Sequence, residues 1–286
     1  EIHERLVGSE MCIRDRFCLR IFFLCILRER KFIRDKKTEN MRKKRILVVL
    51  LAVLLAWVGS NLVIGALLMN DYPEKIWLHR CNSIEKLYEQ GDEYPNVEVD
   101  VVFRKNRKFD VTHDVDTSFN LVLEPYFSYM NETDGKIWLD IKNLKAGNKT
   151  EILAELNKLV ETYRMEKDEL IIESSNWEAL RLFTENGYYT SYYVAFDKPN
   201  DLSDRELDAC IAELQKIVDG GAIRALSFPG WWYSVIKEEL NRPIDLLTWR
   251  HRTTQLALLA SHKGRQMLKD PQLKVILIKD KGDYHR

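Results

Sequence analysis

Eight short apolar runs separated by helical patterns predict an α/β chain, a compact (β/α)8 TIM barrel. An uncharged stretch of 24 residues ahead of them predicts a single N-terminal transmembrane helix. A third observation points to function: several runs end in charged or polar residues, and barrel sites gather at the C-terminal ends of strands. The 286 residues are 45% hydrophobic and 31% charged, with 44 Lys+Arg against 44 Asp+Glu. That balance excludes a disordered or collagen-like chain and gives no electrostatic reason to bind nucleic acid. The charges are unevenly placed: residues 1–45 hold 14 basic and 7 acidic side chains, leaving 30 basic and 37 acidic on the rest. A basic head precedes an acidic body.

Residues 1–40 are expected to be upstream sequence translated in error. Glu1 to Arg16 resembles a translated sequencing-adapter fragment, and the apolar run Phe17 to Leu27 is too short to span a bilayer. Met41 makes a better start, because Arg42-Lys43-Lys44-Arg45 and then an apolar run follow it. Residues 41–70 are therefore expected to be a signal anchor. Ile46 to Met69 holds no charge, and Ser60 and Asn61 are its clearly polar residues. At about 1.5 Å per residue such a run crosses a hydrocarbon core of about 30 Å with some tilt. The four cations before it favour a cytoplasmic N-terminus and an extracytoplasmic body. A cleaved signal peptide is the alternative, since Val63-Ile64-Gly65-Ala66 weakly matches a cleavage site.

Residues 71–286 form the expected barrel. Strands are expected at 75–80, 97–103, 136–142, 169–174, 188–196, 222–228, 244–250 and 273–279. The clearest intervening helix runs from Thr150 to Tyr163, with Ile152, Leu153, Leu156, Leu159, Val160 and Tyr163 on one stripe. Asn176 and Ser203 read as N-caps, the second in a capping box with Glu206. Gly187 and the pair Gly220-Gly221 follow helical patterns, as C-terminal caps do. An open doubly wound sheet is the alternative to the barrel. Outside the head only Cys81 and Cys210 remain, read as two free thiols without disulfide or metal-ligand spacing.

The strand ends carry the chemistry. The first gives His79-Arg80-Cys81-Asn82-Ser83, and the second gives Glu98-Val99-Asp100, whose alternation aims both carboxylates at one side. Val111-Thr112-His113-Asp114 and Asp140-Ile141-Lys142 follow. Three carboxylates suit a hard divalent cation, Mg2+ or Ca2+, that also binds a phosphate oxygen. Two histidines suit a general base and a general acid across a phosphodiester. Weaker candidates are Glu173 and Tyr193 at later strand ends, Trp249 with Arg250 and His251, and the aromatic turn Phe228 to Tyr233, which is a candidate lipid-interface contact.

His-Arg, Glu-x-Asp-Val, His-Asp and an acidic-x-Lys, in that order, resemble the phosphatidylinositol phospholipase C-like phosphodiesterase superfamily. Its glycerophosphodiester phosphodiesterases carry the His-Asp pair thirteen residues past the Asp, which is also the spacing from Asp100 to His113. The resemblance covers roughly residues 75–286, with its specific motifs in 79–142. It implies that His79 and His113 are the acid/base pair and that Glu98, Asp100 and Asp140 are metal ligands. Arg80 and Lys142 would then contact the phosphate, with Asn82 and Trp249 at the substrate. Cys81 stands where those enzymes have glycine, Asp140 where they usually have glutamate, and a long segment after His-Arg is missing. These departures resemble a shorter branch that holds spider-venom-type phospholipases D and menorin-like proteins, whose His-x-x-Asn-Ser signature matches His79 to Ser83.

The expected function is a membrane-anchored, extracytoplasmic, metal-dependent phosphodiesterase acting on a glycerophosphodiester or phospholipid-type substrate. A menorin-like binding barrel without catalysis is the alternative. A glycosidase using Glu98 or Glu173 is a third reading.

Overall fold

The computed structural model describes residue 39, residues 41–63, residue 67, residues 73–249 and residues 254–279. The adapter-like head, residues 64–66 of the cleavage motif, and Arg250 with His251 lie outside the described residues. The chain divides into two units, Glu1–Asn61 and Leu62–Arg286, each described by itself.

Helix α1 (Met41–Val63) is long and apolar enough to cross a membrane, with mean hydropathy 2.6 and its apolar side chains exposed all round. The two polar side chains within its uncharged run turn back onto the helix. The Ser60 hydroxyl and the Asn61 amide each donate to the Trp57 carbonyl, at 2.9 and 2.7 Å.

The body holds β1 (Ile76–Leu78), α2 (Ile84–Gln90), β2 (Val97–Phe103), β3 (Phe109–Val111), α3 (Glu124–Thr133) and β4 (Ile137–Ile141). There follow α4 (Lys149–Tyr163), β5 (Leu170–Ser174), α5 (Trp177–Glu185), β6 (Tyr189–Tyr193), α6 (Asp204–Asp219) and β7 (Ala225–Pro229). The last elements are α7 (Tyr233–Glu239), β8 (Asp245–Trp249), α8 (Gln255–Ala260), α9 (His262–Lys269) and β9 (Leu273–Ile278). Eight parallel strands run β1-β2-β4-β5-β6-β7-β8-β9, and β1 pairs with both β2 and β9, which closes the ring. Closure is what separates the expected barrel from the open sheet.

The strands are near-continuous apolar runs because both faces are covered. Outward positions such as Val97, Val99, Val101, Ile137, Leu139 and Ile172 pack under the helices. Trp77, Trp138, Ile171, Ala225, Leu247, Val275 and Leu277 form a separate apolar plug. That plug separates the polar groups of the mouth from the strand-start end of the barrel. The helices follow their caps: Asn176 Oδ1 accepts from Ala179 N at 3.0 Å, and the Glu206 carboxylate accepts from Ser203 N at 2.8 Å. Gly187 (φ 89°) and Gly221 (φ 60°) take left-handed backbone just past α5 and α6, where a Cβ would be strained.

The sequence does not announce β3. It pairs antiparallel with β2, Val101 against Val111 and Phe103 against Phe109, as a hairpin outside the parallel ring. The hairpin returns the chain to the mouth and delivers His113 there. Cys81 is a buried free thiol and Cys210 a partly exposed one, as expected.

Candidate active site

The mouth holds a cavity of about 270 Å3 lined by eight of the nine residues singled out from the sequence: His79, Arg80, Glu98, Asp100, His113, Asp140, Lys142 and Trp249. Sheet register assembles it. Asp100 on β2 lies level with Asp140 on β4, and Asp140 level with Glu173 on β5. A row of carboxylates therefore crosses three neighbouring strands. Oxygens of Glu98, Asp100 and Asp140 lie within 4.8 Å of one another, and all three residues are buried. Three buried anions this close need a counter-charge. Lys142 supplies one: its ammonium lies 2.6 Å from Asp100 Oδ1 and also bonds Asp140 Oδ2.

Burial and the Asp100 charge push the Glu98 carboxyl well above the usual range. Burial also raises Asp140 against the pull of Lys142. Burial would raise Asp100 too, but Lys142 and the Asn82 amide hold it below its ordinary value. The mouth thus binds protons where a divalent cation could take their place. The donor set is all oxygen, which suits Mg2+ or Ca2+.

Arg80 sits at φ 52°, a left-handed backbone that a non-glycine residue adopts at a cost of about 1–2 kcal/mol. Three hydrogen bonds hold this turn. Arg80 N donates to Glu98 Oε2 at 2.6 Å, and Lys86 Nζ donates to the carbonyls of His79 and Arg80 at 2.8 and 3.0 Å. Lys86 can reach back because α2 starts immediately after the turn, with Ser83 as its N-cap. Asn82 spends both side-chain polar atoms on Asp100: Nδ2 donates to Oδ2 at 2.7 Å, and Oδ1 accepts from Asp100 N at 3.0 Å. It therefore orients Asp100 and does not line the cavity.

The histidines have different surroundings. His79 Nε2 lies 3.7 Å from Glu98 Oε2, and burial pushes its pKa down to about 3, so its ring is neutral. His113 is more exposed, with Nε2 2.8 Å from an Arg80 guanidinium nitrogen and Nδ1 2.8 Å from Asp114 Oδ1. A guanidinium only donates, so Nε2 is the acceptor here and Nδ1 carries the proton toward Asp114.

Of the weaker candidates, Glu173 and Tyr193 line the same cavity, and the Tyr193 and Trp249 rings stack at 5.2 Å and 17°. The aromatic turn divides. Trp232 is fully buried and donates to Asp197 O at 3.1 Å, whereas Trp231 faces the cavity with Lys198 5.3 Å from its ring. Lys279 also lines the cavity and was not foreseen, although it ends the last expected strand and the same strand-end logic reaches it. A larger hollow of about 660 Å3 involves Trp77, Tyr189 and Asp245, from the strand starts, together with Lys136 and Lys274. Its carboxylates, Glu74, Asp168 and Asp245, form no metal-sized cluster, and no histidine lines it among the described residues.

No family model matches the chain, and no curated protein does. Solved structures do. A glycerophosphodiester phosphodiesterase from Parabacteroides distasonis superimposes with TM-score 0.50 at 16% identity, over 72% of this chain and 92% of its own. A protein described as a glycerophosphoryl diester phosphodiesterase from Silicibacter pomeroyi gives TM-score 0.50 at 13% identity, over 72% and 89%. At these identities the likeness establishes the shared barrel fold.

Proposed function

We propose that this chain is a phosphoric diester hydrolase of the phosphatidylinositol phospholipase C-like superfamily, acting on a glycerophosphodiester or phospholipid-type substrate. The observation that carries the reading is one cavity at the barrel mouth lined by two histidines, three clustered buried carboxylates, Arg80 and Lys142. Neighbours of the same fold that are named as phosphodiesterases support it.

Glu98, Asp100 and Asp140 would hold Mg2+ or Ca2+, which when bound supplies positive charge to the phosphate oxygens. Arg80 and Lys142 complement the same charge. His79, kept neutral by burial, takes the proton of the attacking hydroxyl or water as the new P–O bond forms. His113 returns a proton to the oxygen of the breaking P–O bond. Its Asp114 contact stabilises the charged imidazolium, and the turn of Arg80 toward the phosphate frees Nε2 for that transfer. The bound alcohol rests on the Trp249–Tyr193 pair. Helix α1 anchors the barrel outside the cytoplasm, with the cations 42–45 on the inner side.

Leaving groups separate the two histidine roles. His113→Ala should lose roughly a hundredfold to ten-thousandfold on a diester with an alkoxide leaving group. It should lose far less on a 4-nitrophenyl ester, whose leaving group departs without a proton, while His79→Ala loses on both. Equal losses of His113→Ala on both substrates would overturn the assignment of the acid.

A further inference from the structure

His113 stands on a segment with little of its own to hold it. Residues 113–120, between β3 and α3, are exposed at every position and belong to no helix or strand. Val115 and Phe119 are each 45% exposed, so apolar packing does little to fix the backbone there. The two ends are tied: Thr112 N donates to Asp100 O at 3.0 Å, and Val111 N donates to Leu121 O at 2.7 Å. The His113 ring meets Arg80, but passing its proton to a substrate requires that contact to open. A proton donor must still be well placed, since a shift of about 1 Å can cost about a hundredfold in rate.

Arg104 ties the middle of the segment. It follows directly on β2, and its N–H closes the turn to β3 by donating to Lys108 O at 2.9 Å. From there the side chain crosses to the segment. Nη1 donates to the Val115 carbonyl at 2.5 Å, and Nη2 donates to the Thr117 carbonyl. Thr117 N in turn donates to Asp114 O at 3.1 Å, so the tie reaches the residue whose carboxylate holds the His113 ring. The guanidinium is braced from behind by Asp110 on β3, which is 5% exposed. Asp110 Oδ2 accepts from Nε at 3.1 Å and lies 2.9 Å from Nη2. One planar fork thus bridges a buried carboxylate and two carbonyls. A lysine ammonium, whose three donors share a single point, cannot span all three.

We propose that Arg104 is a positioning residue for His113: braced by Asp110, it holds residues 115 and 117 so that the imidazole stands at the leaving-group oxygen. The assignment rests on the phosphodiesterase reading above.

The test uses the full chain in mild detergent with two phosphodiesters of glycerol, one releasing ethanol and the other 4-nitrophenol. Arg104→Lys keeps a positive charge beside Asp110 and loses the fork. It should lower kcat/KM roughly tenfold to a hundredfold on the ethyl ester, which needs a proton at the leaving oxygen, and less than about threefold on the 4-nitrophenyl ester. Because Arg104 acts through His113, adding Arg104→Lys to His113→Ala should change the ethyl-ester rate by less than about threefold. Should the lysine variant not fold, Arg104→Met with Asp110→Asn removes both charges together and carries the same expectations. Equal losses on both esters, or losses that multiply in the combined variant, make Arg104 a support of the fold alone and overturn the assignment. So do wild-type rates in Arg104→Lys. Wild type that hydrolyses neither ester overturns the phosphodiesterase reading and this assignment with it.

Discussion

Replacing Lys142 with methionine probes the charge balance of the site. The Lys142 ammonium sits 2.6 Å from Asp100 Oδ1 and bonds Asp140 as well, and its side chain is 18% exposed. Removing one partner of a buried ion pair costs about 3–5 kcal/mol, and the residual exposure favours the lower figure. At about 2–4 °C per kcal/mol for a domain of this size, the melting temperature of Lys142→Met in EDTA should fall by about 6–12 °C. The loss should grow with pH. Glu98 and Asp140 have raised folded pKa values, mainly from burial and partly offset by Lys142. A raised folded pKa means that the folded state binds protons the unfolded chain has released. Stability is therefore lost as pH rises above the ordinary carboxylate range toward the folded value. Without Lys142 those values climb further, so the deficit at pH 8 should exceed the deficit at pH 5. Excess Mg2+ or Ca2+ should return more stability to the variant than to wild type, because carboxylates without the Lys142 counter-charge bind the cation more tightly at the same concentration; at 100 times Kd a ligand contributes about 2.7 kcal/mol. Thermal denaturation at both pH values, with and without the metal, gives the comparison. A variant melting within about 2 °C of wild type in EDTA, or a deficit independent of pH, would refute the reasoning.

Three further outcomes follow from the same geometry. Asn82→Ala frees Asp100 from its two orienting bonds and should weaken metal binding by about tenfold to a hundredfold in a thermal-shift titration. Asn176→Ala removes the cap of α5 and should cost about 1 kcal/mol of stability, read by chemical denaturation, without changing turnover. Burial pushes the Cys81 thiol up to about 12, so alkylation at pH 8 followed by peptide mapping should label Cys210 and spare Cys81 until the chain unfolds.

The barrel was legible because each parallel strand, buried on both faces, is written as a compact apolar run. The expected strand at 97–103 and the observed β2 coincide, and the expected helix at 150–163 begins one residue later than α4. Strand β3 escaped because three residues carry no usable periodicity, and what defines them is pairing with β2. The charged residues were found by their place at strand ends, which is a local property. Their partnerships were not, because they depend on tertiary geometry. Nothing in Arg80 announces a left-handed backbone or a bond to His113, thirty-three residues away. Asn82 was expected at the substrate, and its two bonds to Asp100 could not be read from the sequence, since a residue on the strand-to-helix turn can face either way.

The central claim is a metal-supported two-histidine phosphodiesterase. The most direct test is phosphorus NMR of a glycerophosphodiester incubated with the full chain in Mg2+, Ca2+ or EDTA, for wild type and Glu98→Ala. The diester signal should convert to a phosphomonoester or cyclic ester with wild type and metal only. A folded wild type that leaves the diester intact in either metal, or conversion that persists with Glu98→Ala in EDTA, would contradict it.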